Sequence, residues 1–324
     1  MILYKIEIEL KKIIRNIQEI ANNKRVIVAF SGGLDSTVVL NLAVMALGKE
    51  NVIAANVDFN LFTYKKAKKN VLDITNSLLV RLDIIPGKSG QIKIMRGGPD
   101  CNLCTKQIKL GLIREKYKKH VILTGSNQSD SWGKYGSSFI NNYFAPLFDY
   151  TKKDIRILAD YLNIIVQRIG ENTNREGCKL KHLLKPMVNI NYHGIAVDKT
   201  NEILLNDIDD ANIRPEKANV KIIGPLNRNI ALVNIYPLPS FDFIRQLLIN
   251  LRRVKEVDEF HIVDKPLELV IKANKGQFNN HHSRYWLEKG RLQPEFACPI
   301  KVRWLLTTNR KLKTFQVVDY NKLY

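Results

Sequence analysis

The chain has 324 residues, of which 45% are hydrophobic and 25% charged, and its formal net charge is +20. This length is enough for one large or two smaller domains, each with a buried core. We expect neither a signal peptide nor a membrane span, because residues 1–22 mix Lys, Glu and Ile at helical spacing and no long apolar stretch follows. Secreted and membrane-spanning classes are therefore excluded, and a soluble cytoplasmic protein is expected.

The positive charge is concentrated between residues 61 and 120, which hold 14 Lys and Arg against 4 Asp and Glu. A basic segment of this kind attracts polyanions and favours contacts with phosphate groups. The same composition is also typical of an ordinary lysine-rich surface. Charge alone therefore leaves a nucleic-acid partner open.

Residues 1–190 alternate between predicted helices and predicted strands. The helices are expected at 1–22, 36–47, 63–80, 105–119 and 152–163, and the strands at 26–30, 52–58, 81–85 and 121–124. This alternation predicts an α/β domain with a doubly wound parallel sheet and helices on both faces. Ligands bind such sheets at the carboxyl ends of the strands, so the functional site is expected at that edge.

A hexapeptide, Ser31-Gly32-Gly33-Leu34-Asp35-Ser36, connects the first strand to the second helix. Its glycines allow the backbone to approach a ligand closely, and the amides at a helix start attract negative charge. The carboxylate of Asp35 suits a bridging magnesium ion, and the serine hydroxyls add hydrogen-bond donors. The segment therefore predicts a cradle for a pyrophosphate group held together with Mg²⁺.

Two acids and a glycine follow later strands at the same predicted edge. Asp58 ends the second strand, where a carboxylate can bond a ribose hydroxyl or cap the strand end. Gly125 and Asp130 follow the strand at 121–124. The residues assigned to nucleotide binding are Phe30, Ser31, Gly32, Gly33, Asp35, Ser36, Thr37, Asp58, Gly125 and Asp130.

Three cysteines predict a metal or redox role, because structural disulfides are rare in cytosolic proteins. Cys101 and Cys104 form a C-x-x-C pair after residues 86–100, whose glycines predict a mobile loop. Cys178 lies farther along, and His182 follows it by four residues. These four side chains could form a Cys₃His zinc site, although the basic neighbours of His182 favour a surface position over a ligand role.

Residues 191–324 have a different pattern and predict a smaller α+β domain. One helix is expected at 241–253, and β-branched runs lie at 220–223, 230–235, 267–271, 300–306 and 314–318. The domains are therefore predicted as 1–190, which binds ATP, and 191–324, whose role in substrate or RNA binding is open. Cys298, beside Pro299 in an apolar context, is expected to be a buried, inert thiol.

The hexapeptide resembles the signature of the PP-loop ATP pyrophosphatase superfamily, the adenine-nucleotide α-hydrolase-like fold. Its members use ATP to adenylate a carbonyl oxygen or a carboxylate and release pyrophosphate. Three later segments resemble the tRNA 2-thiolation branch, namely Gly125–Asp130, Ala145-Pro146-Leu147 and Glu176-Gly177-Cys178. This second resemblance implies a [4Fe–4S] cluster, with one open iron that carries sulfide, on three metal ligands: Cys101, Cys104 and Cys178.

The resemblance implies an ATP-dependent sulfurtransferase that adenylates a tRNA base and replaces its oxygen with sulfur. Its expected cofactors are ATP, Mg²⁺ and the cluster, its expected partners are tRNA and a sulfur donor, and a homodimer is compatible with it. The catalytic residues would be Asp35, Cys101, Cys104 and Cys178.

Two alternatives remain. The loop also resembles 7-cyano-7-deazaguanine synthase, which implies an enzyme that adenylates a small-molecule carboxylate or carbonyl for amide, nitrile or sulfur insertion, with a structural zinc. A non-catalytic RNA-binding protein with a relict ATP fold is the third hypothesis.

Overall fold

The computed structural model describes residues 2–130, 137–173 and 176–323. The chain divides into two compact units. The first comprises Met1–Asn60, Lys65–Gly87 and Thr105–Gln167, and the second comprises Leu61–Tyr64, Lys88–Cys104 and Arg168–Tyr324. The predicted boundary at residue 190 does not coincide with this division, because three segments from the first 190 residues belong to the second unit.

The helices and strands of the described residues, in chain order, are as follows. The α-helices are α1 Ile2–Ala21, α2 Leu34–Leu47, α3 Lys65–Ser77, α4 Lys88–Met95, α5 Cys101–Cys104, α6 Gly111–Lys116, α7 Lys152–Tyr161, α8 Ile195–Asp210, α9 Phe241–Leu251, α10 Lys275–Asn279 and α11 His281–Tyr285. The strands are β1 Val26–Ala29, β2 Val52–Asp58, β3 Arg81–Pro86, β4 Ile122–Leu123, β5 Phe139–Ile140, β6 Tyr143–Phe144, β7 Lys217–Ile223, β8 Ile230–Tyr236, β9 Glu259–Ile262, β10 Leu267–Ala273, β11 Ile300–Leu306 and β12 Phe315–Lys322.

The first unit contains a six-stranded sheet with the strand order β3-β2-β1-β4-β6-β5. All neighbouring pairs are parallel except the edge pair of β5 and β6. Strands β2 and β3 lie on one side of β1, and β4 lies on its other side. The order of the sheet therefore reverses at β1, and ligand sites of such folds lie at the carboxyl end of this switch point.

Alternate residues of β1 pack on opposite faces of this sheet, because successive strand side chains point to opposite sides. Val26 and Val28 join an apolar cluster that includes residues of α1, α2 and α7. Ile27 joins a separate cluster with Ile53 and Ile113, the last of which lies on α6. Helices therefore cover both faces, which confirms the predicted doubly wound α/β class.

The second unit is built on two three-stranded sheets, ordered β7-β8-β9 and β11-β10-β12. Side chains from both sheets, such as Leu232 and Ile271, share one apolar core. The helix α8 packs against β7, where buried Asn201 donates to the carbonyl oxygen of Val220 at 3.0 Å and accepts from its amide at 2.9 Å. The smaller α+β part predicted at the C-terminal end is thus confirmed.

Two local predictions were wrong. The segment 86–100 is not simply a loop, since α4 occupies Lys88–Met95 and buries Gln91 and Met95. Gly90 suggested a turn, but burial of this helix face outweighs the low helix propensity of one glycine. The second omission is α8, whose apolar residues recur at helical spacing. No helix of the described residues is long and apolar enough to cross a membrane.

Candidate functional site

Residues 31–36 comprise the turn that precedes α2 and the first three residues of that helix, and they are called the phosphate loop below. The hydroxyl groups of this segment hold it together. The Ser36 hydroxyl donates to the carbonyl oxygen of Gly33 at 3.0 Å and accepts from the Ser31 amide at 3.2 Å. The two serine hydroxyls lie 3.1 Å apart. These contacts fix the loop before any ligand binds, so little conformational entropy remains to be lost there.

Gly32 occupies the one position of this loop with a left-handed backbone, at φ +75°. A Cβ atom at this position would lie 2.9 Å from Cγ2 of Val71, a buried residue of α3. Only glycine meets both conditions without strain. Gly33 precedes α2 and caps it without a side-chain hydrogen bond, so the first amides of a 14-residue helix have no side-chain cap. Such amides form an anion-binding site.

Gly125 allows the end of β4 to approach the phosphate loop. A Cβ atom here would lie 3.1 Å from three atoms, the carbonyl carbon and Cβ of Asp35 and the amide nitrogen of Ser36. These contacts are tighter than ordinary van der Waals distances, and two of the three atoms are backbone. The position therefore requires a residue without a side chain, in agreement with its predicted place beside the nucleotide.

Asp35 is held by two neighbours that join it to other elements of the first unit. Asn127, which is fully buried, donates to Oδ2 of Asp35 at 3.1 Å. Lys152, the first residue of α7, forms an ion pair with the same oxygen. Because both contacts use Oδ2, the carboxylate presents Oδ1 as a further acceptor. The loop thus combines helix-start amides, a carboxylate and an ammonium group in one place.

Asp130 contacts Asn127, the residue that holds Asp35. Its Oδ2 accepts from the Asn127 amide at 3.3 Å, and its own amide donates to the Asn127 carbonyl oxygen at 3.0 Å. The side chain of Asn127 is further fixed because its Oδ1 accepts from the Ser129 amide at 3.0 Å. In this structure Asp130 is therefore a positioning residue for Asn127, and through it for Asp35.

The remaining predicted nucleotide-binding residues have their side chains engaged elsewhere. The ring of Phe30 lies in the core, and the hydroxyl of Thr37 donates back to the carbonyl oxygen of Gly33 at 2.9 Å. Asp58 accepts from the amide of Asn60 at 3.0 Å and from Lys68 at 3.1 Å. Asp58 thus caps the turn after β2, as one of its two predicted roles requires.

The phosphate loop fits ATP and Mg²⁺ on two observations. Gly33 leaves the first amides of α2 without a side-chain cap, which is the condition for an anion to bind at a helix start. The carboxylate of Asp35 is a hard oxygen ligand of the kind that Mg²⁺ prefers. Asp35 would therefore hold the metal, and the loop amides would hold the phosphates.

The cysteines do not form the predicted cluster site. No group of three or more His, Cys, Asp or Glu side chains among the described residues is placed to hold a metal ion. Cys178 instead receives a hydrogen bond from the side-chain amide of buried Gln91, with Nε2 and Sγ 3.0 Å apart. The assignment of Cys101, Cys104 and Cys178 as a [4Fe–4S] ligand set therefore finds no support among the described residues.

The alternative zinc set fails because His182 uses both of its ring nitrogens. Its Nε2 lies 2.7 Å from Glu171, and its Nδ1 lies 2.8 Å from the ammonium nitrogen of Lys221. Burial, with the nearby charge of Lys221, lowers the pKa of His182 to about 4, so the ring is neutral. It then donates through Nε2 and accepts at Nδ1. His182 belongs to a buried ionic cluster and has no nitrogen left for zinc.

Cys298 is half-buried, and its thiol lies 3.6 Å from the carbonyl oxygen of Val263. Burial raises the pKa of this thiol, with a further contribution from Asp264. A thiol whose pKa is raised is less reactive, in agreement with the inert role expected for it.

Two residues of the site are absent from the predicted set. Asn127 lies within the segment Gly125–Asp130. The sequence alone does not distinguish an asparagine that is buried and bonds a carboxylate from one that simply occupies a turn. Lys152 lies 117 positions from Asp35, and only the packing of the first unit brings the two together. The sequence signal for Lys152 is its place at the first position of α7, directly after the N-cap residue Thr151.

The fold and the phosphate loop are those of the PP-loop superfamily. The sequence model of the NAD synthase family matches residues 6–173, just over half of the chain. The chain therefore belongs to the NAD synthase family. This result agrees with the predicted superfamily and overturns the predicted tRNA thiolation branch.

Individual relatives cover smaller parts of the chain. An NH₃-dependent NAD⁺ synthetase of Pyrobaculum aerophilum is 32% identical over 153 residues, which are 43% of this chain and 56% of that protein. The chain thus spans about half the length of this relative. Pyridinium-3,5-bisthiocarboxylic acid mononucleotide synthase of Lactiplantibacillus plantarum is 50% identical over 46 residues, 14% of this chain and 17% of that protein.

Among solved structures, an NH₃-dependent NAD synthetase of Campylobacter jejuni, in complex with nitrate, aligns with a TM-score of 0.42 and 25% identity. The alignment covers 49% of this chain and 74% of that one.

The family assignment corrects the predicted function. The prediction of a tRNA sulfurtransferase is wrong, because the N-terminal half of the chain matches a family named for NAD synthesis. The partners tRNA and a sulfur donor were inferred from that function and lose their support with it. The alternative prediction, adenylation of a small-molecule carboxylate, agrees better with the family.

Proposed function

We propose that this chain uses ATP to adenylate the carboxylate of a small nucleotide-bound substrate, and that ammonia then displaces AMP to give an amide. A carboxylate oxygen attacks the α-phosphorus, and pyrophosphate leaves. Ammonia then attacks the acyl carbon and loses a proton, and the C–O bond to AMP breaks. The single observation that carries this proposal is the phosphate loop with Asp35, within a region that matches the NAD synthase family.

The residues of the first unit have distinct tasks in this reaction. The amides of the phosphate loop and the start of α2 are directed to the developing charge on pyrophosphate, where preorganised donors lower the barrier most. Lys152 adds a positive charge beside the same loop. Asn127 holds Asp35 in position. Mg²⁺, when bound, supplies charge neutralisation for the phosphates.

The substrate class is proposed from the names of two relatives. NAD⁺ carries a pyridine carboxamide, and the Lactiplantibacillus enzyme is named for a pyridinium carboxylic acid derivative on a mononucleotide. Both products come from a pyridine carboxyl group joined to a nucleotide. We therefore take the carboxylic acid form of NAD⁺ as the first substrate to be tested.

A second candidate function differs only in the nucleophile. The short match to a synthase of a thiocarboxylic acid favours attack on the same acyl adenylate by sulfur instead of ammonia. The products separate the two candidates, since one yields a carboxamide and the other a thiocarboxylate.

The adenylation step is tested by exchange of labelled pyrophosphate into ATP, with the full chain, Mg²⁺ and the carboxylic acid form of NAD⁺. Exchange that requires the carboxylate supports the proposal. Exchange that is equal without it would contradict it. Asp35→Asn should remove exchange, whereas Asp160→Asn, an exposed acid on α7, is the matched control.

A further inference from the structure

We propose that Cys101 and Cys104 form a dithiol–disulfide site that exchanges with external disulfides through Cys101. Both residues lie in the second unit, at the start of a helical segment that continues to Lys116. Cys101 is partly exposed, whereas Cys104 is buried. An external reactant therefore reaches Cys101 more readily than Cys104. This inference does not depend on the proposed ATP chemistry.

The spacing of the two cysteines suits a disulfide. Residues three apart on an α-helix have Cα atoms about 5 Å apart. This distance lies within the range of about 4.4–6.8 Å that a disulfide requires. Asp100 fixes the turn, since its Oδ1 accepts from the Leu103 amide at 2.9 Å and its carbonyl oxygen accepts from the Cys104 amide at 3.1 Å. The pair can therefore close without unwinding the backbone.

Arg291 places a permanent positive charge beside the accessible sulfur. Its Nη2 lies 3.5 Å from Sγ of Cys101, and its Nη1 donates to the carbonyl oxygen of Pro99 at 3.2 Å. The guanidinium also lies over the ring of buried Phe315, 5.2 Å from the centroid. Three contacts thus hold the charge next to the sulfur that becomes negative when its proton leaves, and the thiolate is the nucleophile in disulfide exchange.

Metal binding, the usual competing role of a C-x-x-C pair, has no further ligands here. Among residues 2–130, 137–173 and 176–323, no set of three His, Cys, Asp or Glu side chains could hold a metal. A C-x-x-C pair with one partly exposed thiol can instead be oxidised by other disulfides.

The exchange is balanced in two steps with an external disulfide of the glutathione type as oxidant. The Cys101 thiolate attacks one sulfur of that disulfide, which forms a mixed disulfide and releases one thiolate. The Cys104 sulfur then loses its proton, attacks Sγ of Cys101 and releases the second thiolate. The chain loses two hydrogen atoms, and the external disulfide is reduced to two thiols.

The test uses the full chain in mixtures of oxidised and reduced glutathione, followed by acid quench, alkylation and mass spectrometry of the peptide with residues 101–104. The wild-type peptide should lose two hydrogen atoms. Cys104→Ser should accumulate a glutathione adduct on Cys101, because the second step is removed. Cys101→Ser should react several-fold more slowly, since Cys104 is buried. Cys298→Ser is the control and should match the wild type.

Arg291→Gln should slow adduct formation on Cys101 several-fold in the Cys104→Ser background, with the far-UV circular dichroism unchanged. The proposal is overturned if the wild-type peptide keeps both hydrogens while a reference dithiol is oxidised in the same buffer. It is equally overturned if Cys101→Ser and Cys104→Ser form adducts at the same rate, or if the pair is found to hold a metal. If a variant fails to fold, the loss of two hydrogen atoms from the wild-type peptide with residues 101–104 still tests whether the disulfide forms.

Discussion

Substitution of Gly125 by alanine should displace the phosphate loop while the fold persists. The new Cβ atom would lie 3.1 Å from the carbonyl carbon and Cβ of Asp35 and from the amide nitrogen of Ser36. Contacts of this length force the neighbouring atoms to move by a few tenths of an ångström. Two of these atoms are backbone at the start of α2, so the displaced group is the one that we propose binds phosphate.

The size of the effect follows from this crowding. One extra carbon in a well-packed place costs about 1–3 kcal/mol. If the loop moves, the lost transition-state stabilisation should be of the same order, which is roughly a tenfold to hundredfold loss of rate. Carboxylate-dependent pyrophosphate exchange at saturating ATP measures that loss, and urea unfolding measures the loss of stability.

Gly111→Ala is the matched control for this substitution. Gly111 lies on α6, where a Cβ atom would meet only the carbonyl oxygen of Lys106 at an ordinary 3.5 Å. Alanine favours a helix interior by about 1 kcal/mol relative to glycine, so the control should be as stable as the wild type or more so, with full exchange activity. Full activity of Gly125→Ala would refute the assignment of this close approach to the ATP site.

Three further outcomes are expected. Asp35→Asn should lower pyrophosphate exchange by about a hundredfold or more, as for loss of one preorganised electrostatic group, and an equal fall in Asp160→Asn would point to a general charge effect. His182 should make stability depend on pH, because burial and the charge of Lys221 hold its pKa in the folded protein at about 4, below the usual 6.5. Between these two pH values the unfolded chain binds one more proton than the folded protein. The free energy of unfolding therefore falls as the pH drops from 6.5 to 4. The loss should total roughly 3 kcal/mol in urea unfolding, and His182→Gln should lack it, whereas an identical slope in that variant would contradict the buried-neutral state. Cys178→Ala should leave iron and zinc content and pyrophosphate exchange unchanged, and loss of a stoichiometric metal from this variant would restore the cluster hypothesis.

The sheet and the phosphate loop could be predicted because their signals are local. The apolar run at 26–30 and the glycines that follow it define a strand, a turn and a helix start within a few residues. The place of Gly125 after a strand predicts a position at the ligand edge of a parallel sheet, and the structure places it against Asp35 and Ser36 of the phosphate loop. Helix α4 was missed, since its burial depends on residues distant in the chain.

The substrate of the site could not be reached in the same way. The ATP-binding motif is shared by enzymes that act on different acceptors, so the motif alone does not identify the acceptor. The resemblance of the three-cysteine pattern to the thiolation branch implied a cluster, but spacing along the chain does not fix where side chains point. His182 shows the same limit, because four residues after Cys178 it is directed into a buried contact with Glu171 and Lys221.

Transfer of ¹⁸O from substrate to AMP tests the adenylation of a carboxylate most directly. The full chain would be incubated with ATP, Mg²⁺, ammonium and the carboxylic acid form of NAD⁺ labelled with ¹⁸O in its carboxylate, and the AMP would be analysed by mass spectrometry. Attack of the carboxylate on the α-phosphorus predicts one ¹⁸O atom in each AMP formed, together with unlabelled pyrophosphate. AMP that carries no label, or release of ADP and phosphate instead, would contradict the proposed function.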